Sequence, residues 1–137
     1  MNLDRSIFTV HDIHRFPAIV VRPERVQPGY AVQWEKEMDA LIEYGHAFIV
    51  IYLETPHEET HDDFRQRGLW LKKNKHALAN LCKALVTVEA DDARREAARI
   101  RGLGATKAFG VPHHAVATAQ QAFQLITPGV TGSLQVF

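Results

Sequence analysis

The chain has 137 residues, of which 46% are hydrophobic and 23% are charged, as is typical of one globular domain. Sixteen basic residues balance sixteen acidic ones, so no overall charge would attract nucleic acid or an anionic membrane. The single cysteine, Cys82, excludes an intramolecular disulfide, and the longest apolar run, residues 47–53, is too short to cross a bilayer; we therefore expect a cytoplasmic protein with no transmembrane segment.

The first half of the chain has the pattern of a hairpin, a helix and a buried strand. Residues 7–10 and the β-branched residues 18–21 predict two strands joined by a turn at residues 15–17. Apolar residues at helical spacing predict an amphipathic helix over 29–44. The continuous apolar run 47–53 is typical of a strand that is covered on both faces.

The second half predicts three further helices and two further strands. A long helix over 63–81 and a strand over 84–88 come first. Asp91 or Asp92 is expected to cap a helix that ends at Arg101, with Gly102 and Gly104 as stop signals. Two elements are expected after them: a weak strand over 106–109, and a last helix from Pro112 to Ile126, with His113 and His114 at its start.

The alternation of strands and helices predicts the fold class. It is α/β, with a mostly parallel sheet, right-handed crossovers, an N-terminal hairpin and four helices. We expect residues 1–126 to form a single domain and residues 127–137 to form an irregular C-terminal tail, since the tail contains Pro128, Gly129 and Gly132.

This pattern resembles the SpoIIAA-like (STAS) family over residues 6–126. The resemblance is carried by the hairpin, by Pro28-Gly29 before the first helix, by the strand at 47–53 and by Gly68-Leu69-Trp70 in the second helix. It implies non-catalytic work: partner switching, regulation of transporters, or binding of a small ligand or lipid. The family's phosphorylatable Asp-Ser-Ser/Thr-Gly-type motif is absent here.

The hydroxyl side chains in that region are Thr55 and Thr60, and both lie among acidic residues that would repel a phosphate. The same region contains His57-Glu58-Glu59-Thr60-His61, a formal H-E-x-x-H. On a helix, His57 and His61 would lie one turn apart and bind zinc, with Glu58 as general base. However, Pro56 and the acidic residues that follow favour a solvated loop or a helix start.

The second helix carries polar residues close to its apolar stripe. Arg67 and Asn74 project near the middle of the apolar stripe that contains Trp70, and buried polar groups need partners. One interpretation is a mostly apolar pocket beside Trp70, in which Arg67 and Asn74 anchor a ligand. The alternative is that the helix frays before Gly68, leaves Arg67 exposed and uses Asn74 as a cap. The basic outer face of this helix lacks interleaved aromatics, which favours a solvated face over a nucleic-acid site.

Taken together, these patterns predict a non-catalytic binding or regulatory module for a small apolar or acidic ligand or for a protein partner, with no cofactor. A metal-dependent hydrolase using His57, Glu58 and His61, or a purely oligomeric structural protein, is the alternative. We expect a homodimer, because the apolar alternation of Leu134 to Phe137 would be buried across a two-fold axis.

Overall fold

The computed structural model describes residues 3–53, 59–128 and 134–136. Its centre is a five-stranded sheet in which the strands lie in the same order as in the chain. The first pair is antiparallel and the remaining pairs are parallel, so the predicted α/β class with a mostly parallel sheet and an opening hairpin is confirmed. The strands are β1 His11–Arg15, β2 Ala18–Val21, β3 Phe48–Tyr52, β4 Cys82–Val88 and β5 His113–Val116.

The described residues form five helices beside the sheet, where the sequence predicted four. They are α1 Ala31–Tyr44, α2 His61–Lys73, α3 Lys75–Leu81, α4 Asp92–Phe109 and α5 Ala119–Gln124. Two 3-10 turns, Arg5–Ile7 and Pro23–Arg25, precede α1. In the part of the chain that the structure describes, none of the helices has the length and apolarity needed to cross a membrane.

The first strand begins at His11, four residues later than predicted. The reason is the carboxylate of Glu37 on α1, which is fully buried and accepts the backbone N–H groups of Thr9, Val10 and His11 at 3.0, 3.1 and 2.8 Å. His11 Nδ1 also donates to it at 2.9 Å. The backbone N–H groups at the end of the predicted strand therefore donate to a side chain on α1 and not to a neighbouring strand.

The predicted helix over 63–81 is two helices. Asn74 separates them, because its backbone leaves the helical region and its Nδ2 donates to the carbonyl oxygen of Trp70 at 2.9 Å. Asparagine side chains compete in this way for backbone groups inside helices. The chain therefore turns between α2 and α3 before it enters β4.

The predicted end of α4 at Arg101 is wrong, and so is the strand predicted at 106–109. The helix continues through Gly102 and Gly104 and ends at Gly110, which has φ +76°. An interior glycine costs a helix only about 1 kcal/mol, so neither glycine stops it. Gly110 is the residue whose left-handed conformation ends the helix.

The longer α4 shifts the elements that follow it. Residues 113–116, predicted as helix, form β5. Pro112 directly precedes this strand, and its carbonyl oxygen accepts a hydrogen bond from the backbone N–H of Leu85 at 2.9 Å. The last helix starts after Thr118, which makes a reciprocal capping box with Gln121. The segment predicted as an irregular tail contains two short antiparallel strands, β6 Ile126–Pro128 and β7 Leu134–Val136.

The two faces of the sheet are covered by different elements. Helices α1 to α3 pack on one face, where Trp34, Trp70 and Leu78 meet Phe48 and Val50 of β3. On the other face, α5 covers small and β-branched residues; these are Ala18, Ile49, Ile51, Ala84 and Val86. Such a three-layer arrangement buries both faces of a parallel sheet.

Candidate functional site

A cleft of about 410 Å³ lies between α2–α3 and α4 on the first face of the sheet. Val50, Tyr52 and Leu85 from β3 and β4 contribute to its floor, and Cys82 lies where β4 begins. Three segments contribute the walls: Phe64, Arg67, Gly68 and Leu71 from α2, Leu78 from α3, and Arg101, Ala105 and Phe109 from α4. Its volume falls in the range of small-molecule sites, and its lining is mostly apolar as in such sites.

The cleft exists because α4 packs mainly on β5. The fully buried residues of α4 are Ala98 and Gly102, which have almost no side chain. A Cβ at Gly102 would lie 2.0 Å from His113 Nδ1, so the helix backbone rests directly on the imidazole ring. Close packing on β5 leaves Ala105 and Phe109, farther along α4, to line the cleft instead of filling it.

Arg67 lies in the wall formed by α2 and is held by Glu59. Its Nε and Nη2 donate to the two carboxylate oxygens at 2.6 and 2.8 Å, and its guanidinium lies 5.7 Å from the ring centre of Trp34. Burial works against the charge of Arg67, but the hydrogen bonds to Glu59 prevail and raise its pKa. Arg67 is thus a fixed charge-assisted anchor at the wall of an apolar cleft.

Glu59 accepts a further hydrogen bond from the hydroxyl of Tyr30. Burial alone would raise the pKa of Glu59, but the hydrogen bonds from Arg67 and Tyr30 outweigh it and lower that pKa. Burial likewise raises the pKa of the Tyr52 phenol in the cleft floor, so the phenol stays protonated at neutral pH. Arg67, Glu59 and Tyr52 therefore form a polar cluster in which each side chain keeps one protonation state at neutral pH.

The first helix is aligned with this cluster by Asp63. Its carboxylate accepts the backbone N–H groups of Gly29 and Ala31 at 2.9 and 3.1 Å, at the start of α1. Burial would raise the pKa of Asp63, and the two N–H donors and Thr60 together lower it. Asp63 therefore joins the N-terminal ends of α1 and α2.

The structure places the three sequence-predicted ligand residues differently. Arg67 lines the cleft inside an intact helix. Trp70 is buried in the core, where its indole N–H donates to Asp39 at 2.7 Å and its ring packs edge-on against Trp34 at 5.2 Å. Asn74 ends α2. Trp70 and Asn74 thus hold the helix that presents Arg67.

In the described part of the H-E-x-x-H motif, residues 59–61, the helix begins only at His61. His57 and Glu58, like Thr55, lie outside the described residues. His61 is the exposed first residue of α2, and Thr60 before it has extended backbone and accepts Asp63 N as the helix cap. Within residues 3–53, 59–128 and 134–136, no group of three or more histidine, cysteine or acidic residues is placed to hold a metal ion.

His113 and His114 lie in β5 and not at a helix start. Neighbouring residues of a strand point to opposite faces, so the two side chains are on different sides of the sheet. His113 Nε2 lies 2.9 Å from Thr87 Oγ1, and burial lowers the pKa of the imidazole. His113 pairs with Leu85 of β4, which in turn pairs with Val50 of β3, so His113 lies midway along the strands of the sheet.

Sequence reasoning did not identify Glu59, Tyr52 or Arg101 as parts of a site. Tyr52 occupies the last position of a continuous apolar strand, and Glu59 was one of several acidic residues in a loop. The i, i+4, i+8 spacing of Arg101, Ala105 and Phe109 places them on one helix face, but that signal needs α4 to extend past Gly104.

Neither a protein-family model nor a curated protein nor a solved structure matches the chain. The interpretation of the cleft therefore depends on its own geometry and chemistry. A fold class hosts many unrelated functions, so function has to be argued from the site.

Proposed function

We propose that this protein is a non-catalytic binding module that holds a small apolar molecule in the cleft between α2 and α4. The observation that carries the proposal is the cleft itself, about 410 Å³ of space with an apolar floor of Val50, Leu85 and Cys82. Protein interiors are close-packed, and voids much larger than a water molecule are few. A space of this size and chemistry is the usual form of a small-molecule site.

The chemistry of the lining favours binding over catalysis. Cys82 is the nucleophile in the lining, and burial raises the pKa of its thiol to about 12. Its Sγ also lies 3.4 Å from the carbonyl oxygen of Ala84. Because the thiolate is the reactive form, a thiol with that pKa is inert at neutral pH. Cys82 therefore contributes apolar surface to the cleft.

The finer relationship to the SpoIIAA-like family is also a proposal. What supports it is the order of elements: an opening antiparallel pair, then parallel strands connected by helices. The family implies a regulatory role, in which occupancy of the cleft would alter contact with a protein partner. Phe64 and Leu69 on α2 and Ile100 and Leu103 on α4 are exposed and would suit such a contact.

The homodimer remains a prediction. The backbone of β7 lies beside β4 of the same chain, so the C-terminal segment has a place within one protomer. A second copy is therefore not needed to give this segment a position. The mass of the protein in solution, measured by light scattering, decides between the two states.

The cleft is tested by filling it. Ala105→Phe adds a ring to the α4 wall and should weaken binding of the neutral fluorescent probe N-phenyl-1-naphthylamine at least about tenfold, because the ring occupies the volume that the probe needs. Ala93→Phe places the same ring on the exposed first turn of α4, away from the cleft, and should leave probe binding unchanged. Equal affinity in both variants, or no binding to the parent protein, would contradict the proposal.

A further inference from the structure

The two ends of the cleft differ in chemistry. Tyr52 ends β3 and Arg67 lies in the second turn of α2, so both are toward the carboxyl edge of the sheet. Cys82 begins β4 and Val111 precedes β5, so both are toward the amino edge. The cleft is therefore polar at one end and apolar at the other.

Among the residues that the structure describes, the charged side chains of the lining have the same sign. They are Arg67, on the α2 wall, and Arg101, on the α4 wall. The charge of Arg67 is balanced by Glu59, whereas Arg101 forms no ion pair with any residue that the structure describes. Side chains on a helix lean toward its N-terminus, which brings Arg101 toward the carboxyl edge and thus toward the polar end.

From this arrangement we infer that the cleft binds an elongated amphipathic anion, a monocarboxylate with an unbranched apolar chain. Its carboxylate lies between Arg101 on one wall and Tyr52 and Arg67 on the other side of the cleft. Its chain extends toward Cys82 and Val111. This inference rests on the proposed function, and it adds the ligand class and the direction of binding.

The charges decide between ligand classes. An anion at the polar end receives the unbalanced guanidinium of Arg101 as a charge-assisted partner, and the Tyr52 hydroxyl is a further donor. An ammonium group at the same place would face the unbalanced guanidinium of Arg101, so repulsion disfavours it. A neutral ligand leaves the charge of Arg101 to solvent and gains nothing from it.

The first experiment compares octanoate, octanol and octylammonium as competitors of N-phenyl-1-naphthylamine on the intact chain. Octanoate should bind at least about fivefold more tightly than octanol, and octylammonium more weakly than both. If the neutral probe binds but octanol competes as well as octanoate, the anion inference is overturned and the binding module stands. If the probe itself does not bind, the proposed function fails.

Arg101→Gln tests the contribution of the Arg101 guanidinium to binding. It should reduce octanoate affinity about fivefold and leave octanol affinity unchanged, because only the anion uses the guanidinium. Arg99→Gln is the matched control, since it removes the same charge from the exposed opposite side of α4. Equal losses in the two variants would indicate a long-range effect of net charge and would overturn the assignment of Arg101.

The direction of binding is tested with brominated ligands, because bromine quenches nearby indoles. Trp34 lines the cleft beside Arg67, at its polar end. At equal occupancy, 2-bromooctanoate should therefore quench tryptophan fluorescence more strongly than 8-bromooctanoate. The opposite order would overturn the orientation.

Discussion

Replacing Gly102 by alanine is expected to destabilise the protein, although alanine is the better helix former. Gly102 lies in the interior of α4 and faces His113. A Cβ at this position would meet the imidazole Nδ1 at 2.0 Å, Cγ at 2.3 Å and Cε1 at 2.7 Å. The ring cannot turn away freely, since its Nε2 lies 2.9 Å from Thr87 Oγ1. Either α4 moves away from β5 or the ring leaves its place.

The magnitude follows from one stabilising and two destabilising contributions. Removing the conformational freedom of glycine in a helix interior stabilises by about 1 kcal/mol. Forcing a methyl group into packed atoms costs about 1–3 kcal/mol and sometimes more, and contacts this short belong at the upper end. The hydrogen bond between Thr87 and His113 is worth a further ~1 kcal/mol if the ring moves. The net expectation is a loss of about 2–3 kcal/mol in the free energy of unfolding, the larger value applying if the ring moves.

Gly104 provides the matched control, because a Cβ there has no atom within 4 Å. Gly104→Ala should therefore stabilise by about 0.5–1 kcal/mol through the helix preference alone. Urea unfolding, followed by circular dichroism, compares the two variants with the parent. The double variant Gly102→Ala/His113→Ala removes the clash and should recover part of the lost stability. A Gly102→Ala protein as stable as the Gly104→Ala protein would refute the packing of α4 on His113.

Two further predictions concern the buried polar contacts. Burial would raise the pKa of Glu37, but the hydrogen bonds from His11, Val10, Thr9 and Gln33 lower it to about 2, from 4.5. A depressed carboxyl pKa contributes stability that is present above pH 4.5 and is lost as the pH falls toward 2; acid titration of the unfolding free energy should show a loss of about 3 kcal/mol that is absent in Glu37→Gln. Trp70→Ala should cost about 3–5 kcal/mol in thermal or urea unfolding, since the indole is buried; a loss below 1 kcal/mol would contradict its place in the core.

Strands and helices whose positions depend only on the hydrophobic pattern could be predicted from the sequence. The run 47–53 contains β3, and the amphipathic stretch before Gly45 is α1. The errors lie where a residue distant in the sequence, or a helix cap that was not recognised, determines where an element begins or ends. The N-terminal strand begins late because Glu37, more than twenty residues away, binds three backbone N–H groups, and no local pattern reveals that. By contrast, Thr118 and Gln121 have the spacing of a capping box, so the start of α5 could have been predicted.

The candidate site was predictable in part. The position of Arg67 near the middle of an apolar stripe indicated a buried polar group that needs a partner, and the structure supplies Glu59. Arg67 and Trp70 are three residues apart, which puts them on the same broad side of α2, and both contact Trp34. Only Arg67 lines the cleft, whereas Trp70 is buried in the core. Arg101 could not be placed while the helix was expected to end there, so the α4 wall of the cleft was hidden.

The same few residues explain why the cleft is open and why a ligand would affect the whole domain. Helix α4 buries little more than Ala98 and Gly102, and its contact with the sheet is mainly with the edge strand β5. The buried residues of α4 thus have almost no side chain, and elements with few buried apolar contacts open first. A molecule in the cleft would contact Ala105 and Phe109 on α4 and Leu71 on α2 at once. It would thus supply the apolar contacts that α4 lacks, so occupancy of the cleft would stabilise the position of α4 on the sheet. Ile100 is exposed on the outer side of the same helix, so its position would be stabilised together with that of α4.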